Sequence, residues 1–458
     1  MPPDAGSAAP QPPEPAAAAA PAVGAAAQML VLTAFVPARA APHRRPPHPD
    51  PGHPAPPRSP PTHTITSARA QPTGPMRTGA SVNRDRTVVF ATPYFPPDVG
   101  GVQTYVHSLA SALREVPGWR PVVVTTSPRG PSDDPFPVYR LPALAKLSNT
   151  PLDPRWPRQI RRILRAERAD FLNVHTPVPG LADAATLAAG NVPVVVTYHA
   201  AALVKDGHPL FNTVARAYAC AERFMLRRAD SILGVSDFVA ENFRPRYGGK
   251  VGVLENAVAP EVLAAPVGGS RPYAAAFLAR LEPTHAWKGL DQLLPAMRRH
   301  PGRLLVIGDG AARTGYEALA RKLGIADNVT FAGNLSGAAK FRALRSARSL
   351  VLCPTSPNDA FPTALLEAWA SRVPVIATAV GPLASLVRDG VTGLLAAPRS
   401  PEALAGELRR LEANPGLAHA IRENACELVR SRYTWRHRVA EFVERLTAVE
   451  RRGAPVSR

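Results

Sequence analysis

The sequence predicts an α/β protein made of two successive units, each a buried parallel sheet carrying helices, with a disordered tail in front. Three observations lead there. Short continuous apolar runs such as 87–92 (TVVFAT), 121–126 (PVVVTT) and 349–352 (SLVL) read as strands covered on both faces. They alternate with longer stretches of helical periodicity, the pattern of parallel sheets with crossover helices. Proline and glycine in 260–272 interrupt the alternation once, which divides the chain into units at 86–262 and 272–430. A length of 458 residues and 45% hydrophobic content suit such a core.

Residues 1–85 are rich in proline and alanine and poor in large apolar side chains, so ordering them would bury too little surface, and a disordered tail is expected. The apolar end of its uncharged stretch, QMLVLTAFV, is short for a membrane span. Asp4 and Glu14 stand before that stretch where a secretory leader carries positive charge. The abrupt change of composition also makes Met76 an alternative start. The formal charge of +19 favours anionic partners, but no zinc-ligand spacing or arginine–glycine repeat points to nucleic acid. Cys220, Cys353 and Cys426 are too few and too dispersed for a disulfide framework; buried thiols in a cytoplasmic protein are expected.

In the first unit, strand 87–92 runs into PYFPPDVGGVQTY. Gly100 and Gly101 there allow close backbone approach, and the following helix turns Val102, Tyr105, Val106, Leu109 and Leu113 inward. A strand, glycine turn and helix N-terminus suit a phosphate. Residues 138–154 read as irregular. A helix follows, with Trp156, Ile160, Ile163 and Leu164 on one stripe and Arg158, Arg161, Arg162, Arg165 and Arg168 around it. That basic face is either simply solvated or a contact for an anionic membrane surface or phosphorylated acceptor. Strands at 170–176 and 192–198 end beside His175 and His199, and ligands of open α/β sheets collect at such carboxyl ends. Ser236 is placed to cap a helix.

In the second unit, AAFLARL is the first strand, with Arg280 at its end and Lys288 approaching the next helix. Such cations stabilise a departing diphosphate most as its negative charge develops. RLLVIGDG (303–310) brings a strand into a glycine turn, and NVTFAG (328–333) is another strand. The stretch 352–378, LCPTSPNDAFPTALLEAWASRVPVIAT, combines an acidic loop containing Asp359, a helix carrying Glu367 and a buried strand. In one continuous helix the two carboxylates would stand roughly 80° apart. A loop followed by a helix lets them converge beside a helix N-terminus that attracts phosphate. Pro362 suits the first helical turn, and Leu365, Leu366, Ala368 and Trp369 pack inward. Residues 431–450 form a last helix.

On these residues the chain resembles the retaining glycosyltransferases of family 4, with the GT-B fold of two facing Rossmann-like domains. The resemblance spans about 88–450 and rests most on the Asp359–Glu367 segment and on Arg280 with Lys288-Gly289. It implies transfer of a sugar from a nucleotide-sugar, UDP- or GDP-linked, to a glycan, lipid or small-molecule acceptor, with no obligatory metal. By the same resemblance Arg280 and Lys288 clamp the diphosphate, Asp359 meets the sugar and Glu367 the ribose. Phe361, Gly100 and Gly101 join the donor-binding set, and His199 contacts the hexose. The final helix returns to the first domain. Asp359 stands where a glutamate is usual. Ala360-Phe361-Pro362 replaces Gly-Phe-Gly, and Pro382 and Ser385 replace a glycine and a glutamate. Those departures leave a catalytically silent nucleotide-sugar binder as one alternative; a glycoside hydrolase using the two acids, or a phosphorylase, is another.

Overall fold

The computed structural model describes residues 84–98, 100–128, 134–147, 150–200, 218, 222–264 and 269–453. The tail expected over 1–85, apart from its last two residues, lies outside the described residues, as do Met76 and Cys220. Arg84 is already anchored, its guanidinium donating to both carboxylate oxygens of Asp170 at 2.7 and 2.9 Å.

The first unit begins with β1 (Arg86–Thr92), α1 (Gly101–Arg114), β2 (Trp119–Thr125), β3 (Val138–Arg140), β4 (Ala145–Leu147), β5 (Thr150–Leu152) and α2 (Trp156–Ala166). It continues with β6 (Phe171–Thr176), α3 (Leu181–Ala188), β7 (Val194–Tyr198), β8 (Ser231–Gly234), α4 (Asp237–Glu241), α5 (Arg244–Tyr247) and β9 (Val251–Val253). Among the described residues seven strands form one sheet in the order β3-β2-β1-β6-β7-β8-β9. Its pairings are all parallel. Val88, Val89, Phe90 and Ala91 are fully buried, as strands sandwiched between helix layers must be. The segment 138–154, expected to be irregular, contains β3 and the antiparallel hairpin β4–β5. Three-residue strands are too short for periodicity to announce them.

After α6 (Pro260–Ala264), a short helix inside the expected linker, the second unit runs β10 (Tyr273–Leu278), α7 (Leu290–Arg298), β11 (Arg303–Ile307), α8 (Arg313–Lys322), β12 (Val329–Phe331) and α9 (Gly337–Arg345). It goes on through β13 (Ala347–Leu352), α10 (Thr363–Ala370), β14 (Val375–Thr378), α11 (Leu383–Leu386) and β15 (Leu394–Ala396). It closes with α12 (Pro401–Ala413), α13 (Pro415–Arg432) and α14 (Trp435–Gly453). The six strands form a parallel sheet in the order β12-β11-β10-β13-β14-β15.

Helix α14 returns to the first sheet. Its Phe442 ring lies 5.9 Å from Phe90, and Glu450 pairs with Arg86 at 3.1 Å. Where the two crossings of the chain meet, the Val258 N–H donates to the Tyr433 carbonyl at 3.0 Å. Beside them the buried Glu255 carboxylate accepts from Arg432 at 2.8 Å and Arg438 at 3.2 Å. A buried carboxylate needs such partners, since an unpaired one would be strongly destabilising.

Candidate active site

In each sheet the strand order reverses once, between β1 and β6 and between β10 and β13. Crevices at the carboxyl ends of such strands collect ligands, because helix N-termini diverge there and leave backbone N–H groups free. Most candidate residues follow the strands at these points, and His199 follows the next strand over. Gly100 and Gly101 follow β1, His199 follows β7, Arg280 and Lys288 follow β10, and Asp359 and Glu367 follow β13.

In the second unit a 3₁₀ turn (Pro283–Lys288) carries Lys288, whose ammonium lies 4.5 Å from the centroid of the Trp287 ring. Gly289 then adopts φ +84°, and a Cβ there would collide with the Cys353 carbonyl oxygen. Only glycine permits this approach, which docks the Lys288 turn on the end of β13. The Thr355 N–H donates to the Trp287 carbonyl at 2.8 Å, and the buried Cys353 thiol lies 3.1 Å from the Gly289 carbonyl oxygen. Lys288 consequently meets Asp359 in a direct ion pair. Arg280 is exposed two residues beyond β10.

Glu367 lies in the second turn of α10 and accepts from Lys340 of α9 at 2.8 Å. Leu365, Leu366, Ala368 and Trp369 are buried beneath it, as the helical periodicity demands. Pro362 is the cap residue, one place before the first helical turn expected for it. Asp359 is in the loop and Glu367 in the helix, so no continuous helix separates them. All four side chains of the two pairs are 20–28% exposed, so solvent reaches both pairs. Phe361 is 5% exposed and directs its ring at Tyr433, 6.2 Å away, so the ring belongs to the core.

Two glycine expectations take a different form. Gly100 has φ 168°, ordinary extended backbone, and a Cβ there would come within 2.5 Å of the Gln103 side-chain oxygen, whereas at the helical Gly101 it would meet nothing. Neither position is left-handed; of the two, Gly101 borders open space at the start of α1, while Gly100 lies against the Gln103 side chain. At the end of β11, Gly308 and Gly310 bring backbone against Ala279 and Leu281 of the neighbouring strand end, which accounts for both.

The first unit contributes neutral polarity. His175, expected after its strand, lies within β6, and its Nδ1 is 2.8 Å from Nε2 of His199. Burial pushes the His199 imidazole down to about 3. Burial, then the neighbouring His199, holds His175 well below the usual histidine range. Ser236 caps α4 as expected, accepting from the Val239 N–H at 3.2 Å. It also donates to the Ala360 carbonyl at 2.6 Å and so ties the Asp359 loop to the first unit.

Sequence reasoning missed Lys340, the Ser236–Ala360 bond and the His175–His199 pair. Lys340 sits in no motif, and the other two are contacts between elements. Among the described residues no group of three or more His, Cys, Asp or Glu is gathered as a metal site. No helix among them is long and apolar enough to cross a membrane.

Two families match the sequence: glycosyl transferases group 1 over residues 269–428 and glycosyltransferase family 4 over 99–262. The chain is 30% identical over 389 residues to a D-inositol 3-phosphate glycosyltransferase of Actinosynnema mirum, covering 74% of this chain and 89% of that one. It is 26% identical to a glycogen synthase of Mycobacterium tuberculosis, covering 76% and 91%. A Rickettsia africae glycosyltransferase superposes with TM-score 0.65 at 18% identity, covering 80% and 99%. Anabaena HepE in complex with UDP superposes with 0.65 at 17%, covering 79% and 100%.

The fold is therefore GT-B, and the protein is a sugar-transferring enzyme. The chain belongs to the group 1 glycosyltransferases.

Proposed function

We propose that this glycosyltransferase moves a hexosyl group from a UDP- or GDP-linked donor to a hydroxyl of a glycan, lipid-linked or small-molecule acceptor, with retention at the anomeric carbon. Residues 86–262 serve the acceptor, 272–430 the donor, and 431–450 joins the two. The observation that carries the reading is the placement of two lysine–carboxylate pairs, Lys288–Asp359 and Lys340–Glu367, at the strand-order reversal of the second sheet. As the bond between the anomeric carbon and the diphosphate breaks, charge develops on the leaving oxygen. Lys288, with Arg280, stabilises it there. The donor phosphates replace the carboxylate at Lys288, which releases Asp359 to accept from sugar hydroxyls. Glu367, held by Lys340, accepts from the ribose hydroxyls. Phe361 supports this loop from the core, its backbone being the part left for the donor. Gly101 leaves room for the phosphates at the α1 N-terminus, Gly100 lets the backbone pass beside Gln103 there, and His199 faces the hexose. Retention rests on the resemblance of the Asp359–Glu367 segment to the retaining family 4 enzymes. UDP is favoured because HepE binds it.

A thermal-shift panel of nucleoside diphosphates and their sugars tests the donor half, with release of the diphosphate as the turnover assay. Selective stabilisation by one base and release on adding an acceptor are expected. No stabilisation by any member would sink the reading.

For the acceptor side, Arg158, Arg161, Arg162 and Arg165 are exposed along α2, and Arg161 donates to the Leu187 carbonyl at 3.2 Å. Leu187 is 54% exposed and Leu144, on the hairpin packed at the start of α2, 68%. Cations interspersed with bare leucines fit peripheral contact with an anionic membrane, on the cytoplasmic side where such lipids concentrate.

A further inference from the structure

The histidine pair contains a choice that burial decides. His175 is 1% exposed, with the Phe90 ring 6.1 Å away on β1 and the Tyr105 ring 6.1 Å away on α1. Tyr105 also stands edge-on to His199 at 4.8 Å and against Trp435 of α14 at 5.3 Å. The Tyr105 hydroxyl is already committed, donating to the Leu254 carbonyl at 3.0 Å. The charges of Arg438 and Glu441 are felt at Tyr105. Both imidazoles are neutral at neutral pH, so each carries one N–H, and one hydrogen bond joins them.

The remaining nitrogen of His175, Nε2, is buried without a hydrogen-bond partner among the described residues. If His199 donated through Nε2, His175 would accept on Nδ1 and have to carry its own proton on that buried Nε2. An orphaned N–H would result. If His175 donates through Nδ1, its Nε2 is a bare lone pair instead. Buried orphan donors are the rarer and costlier case. In this second arrangement His199 accepts on Nε2 and must bear its proton on Nδ1, the nitrogen pointing away from His175.

We propose that His175 is a positioning residue that fixes the tautomer and orientation of His199, so that His199 offers an Nδ1–H donor to a hydroxyl of the transferred sugar. The orienting bond acts as a second partner does behind a catalytic imidazole. The role in transfer rests on the proposed contact of His199 with the hexose; the tautomer itself does not.

The test uses the full chain labelled with ¹⁵N-histidine, with long-range ¹⁵N–¹H correlation spectra of the ligand-free protein. His199 is expected to carry its proton on Nδ1. His175→Asn keeps a side-chain N–H donor near the place of Nδ1 and should preserve that signature, whereas His175→Leu should give a mixture of tautomers. Diphosphate release from UDP-glucose and GDP-mannose is then compared. For His175→Leu, kcat should fall about tenfold with donor KM unchanged, the worth of one hydrogen bond, and His175→Asn should recover most of it. A wild-type His199 protonated on Nε2, or an unaltered tautomer in the leucine variant, overturns the inference. Full turnover by His199→Ala would instead remove the sugar contact and leave the tautomer assignment standing.

Discussion

The two units of the molecule solve the same topological problem with opposite chemistry. Both place their polar residues where strand order reverses in a parallel sheet. In the second half these residues are charged and partly solvated, each acid answered by a lysine. In the first they are a pair of neutral imidazoles, His175 buried against Phe90 and Tyr105 and His199 half-buried against Tyr105. The contrast teaches that burial sets the kind of polarity a site holds. Water at the second site keeps ionised groups affordable, while the buried His175 and the half-buried His199 bonded to it hold polarity without charge.

Breaking the charged half should have the largest effect. Lys288→Ala is expected to lower kcat for diphosphate release by about 10² to 10³, the usual cost of losing a group that meets transition-state charge. Turnover within threefold of wild type would detach the ion pair from catalysis. Glu367→Ala acts on the same half through binding. Donor KM should rise about 30-fold with a smaller change in kcat, the signature of an interaction made equally in ground and transition states. Lys340→Met should follow it in the same direction more weakly, and equal KM values across these three proteins would remove the nucleoside contact.

Acid should separate the halves by stability. The folded His199 titrates near 3, below the ordinary histidine value of 6.5, so the unfolded chain binds the extra proton first as pH falls. Stability is therefore fully present above about 6.5 and declines as pH drops from there toward 3. His199→Asn should flatten that decline in urea midpoints measured between those values; an unchanged slope would place the loss elsewhere. The smallest effect belongs to the outer surface. The double variant Arg158→Glu with Arg162→Glu should leave turnover on a soluble acceptor and melting temperature nearly unchanged, while weakening co-sedimentation with phosphatidylserine vesicles about tenfold or more at low salt. Retained co-sedimentation would dismiss the membrane contact.

Legibility in the sequence followed the range of the forces involved. Strands β1, β6 and β7 were readable because burial on both faces writes uninterrupted apolar runs, and the inner face of α1 because helical spacing repeats within a few residues. Ser236 was readable as a cap for the same local reason. Its second bond, to Ala360, joins residues 124 apart in the chain and left no trace in spacing. Short strands such as β4 and β5 hold too few residues to establish a period.

Local pattern by itself determined the alternation of buried strands and helices, the division near residue 260, and which carboxylates and cations stand at strand ends, because side-chain periodicity and turn chemistry act between near neighbours. Only tertiary structure decided that Lys288 answers Asp359, that Lys340 answers Glu367, and that His175 rather than water meets His199. Those pairings depend on sheet order and on how closely Gly289 lets two backbones approach, and both are fixed when distant segments pack.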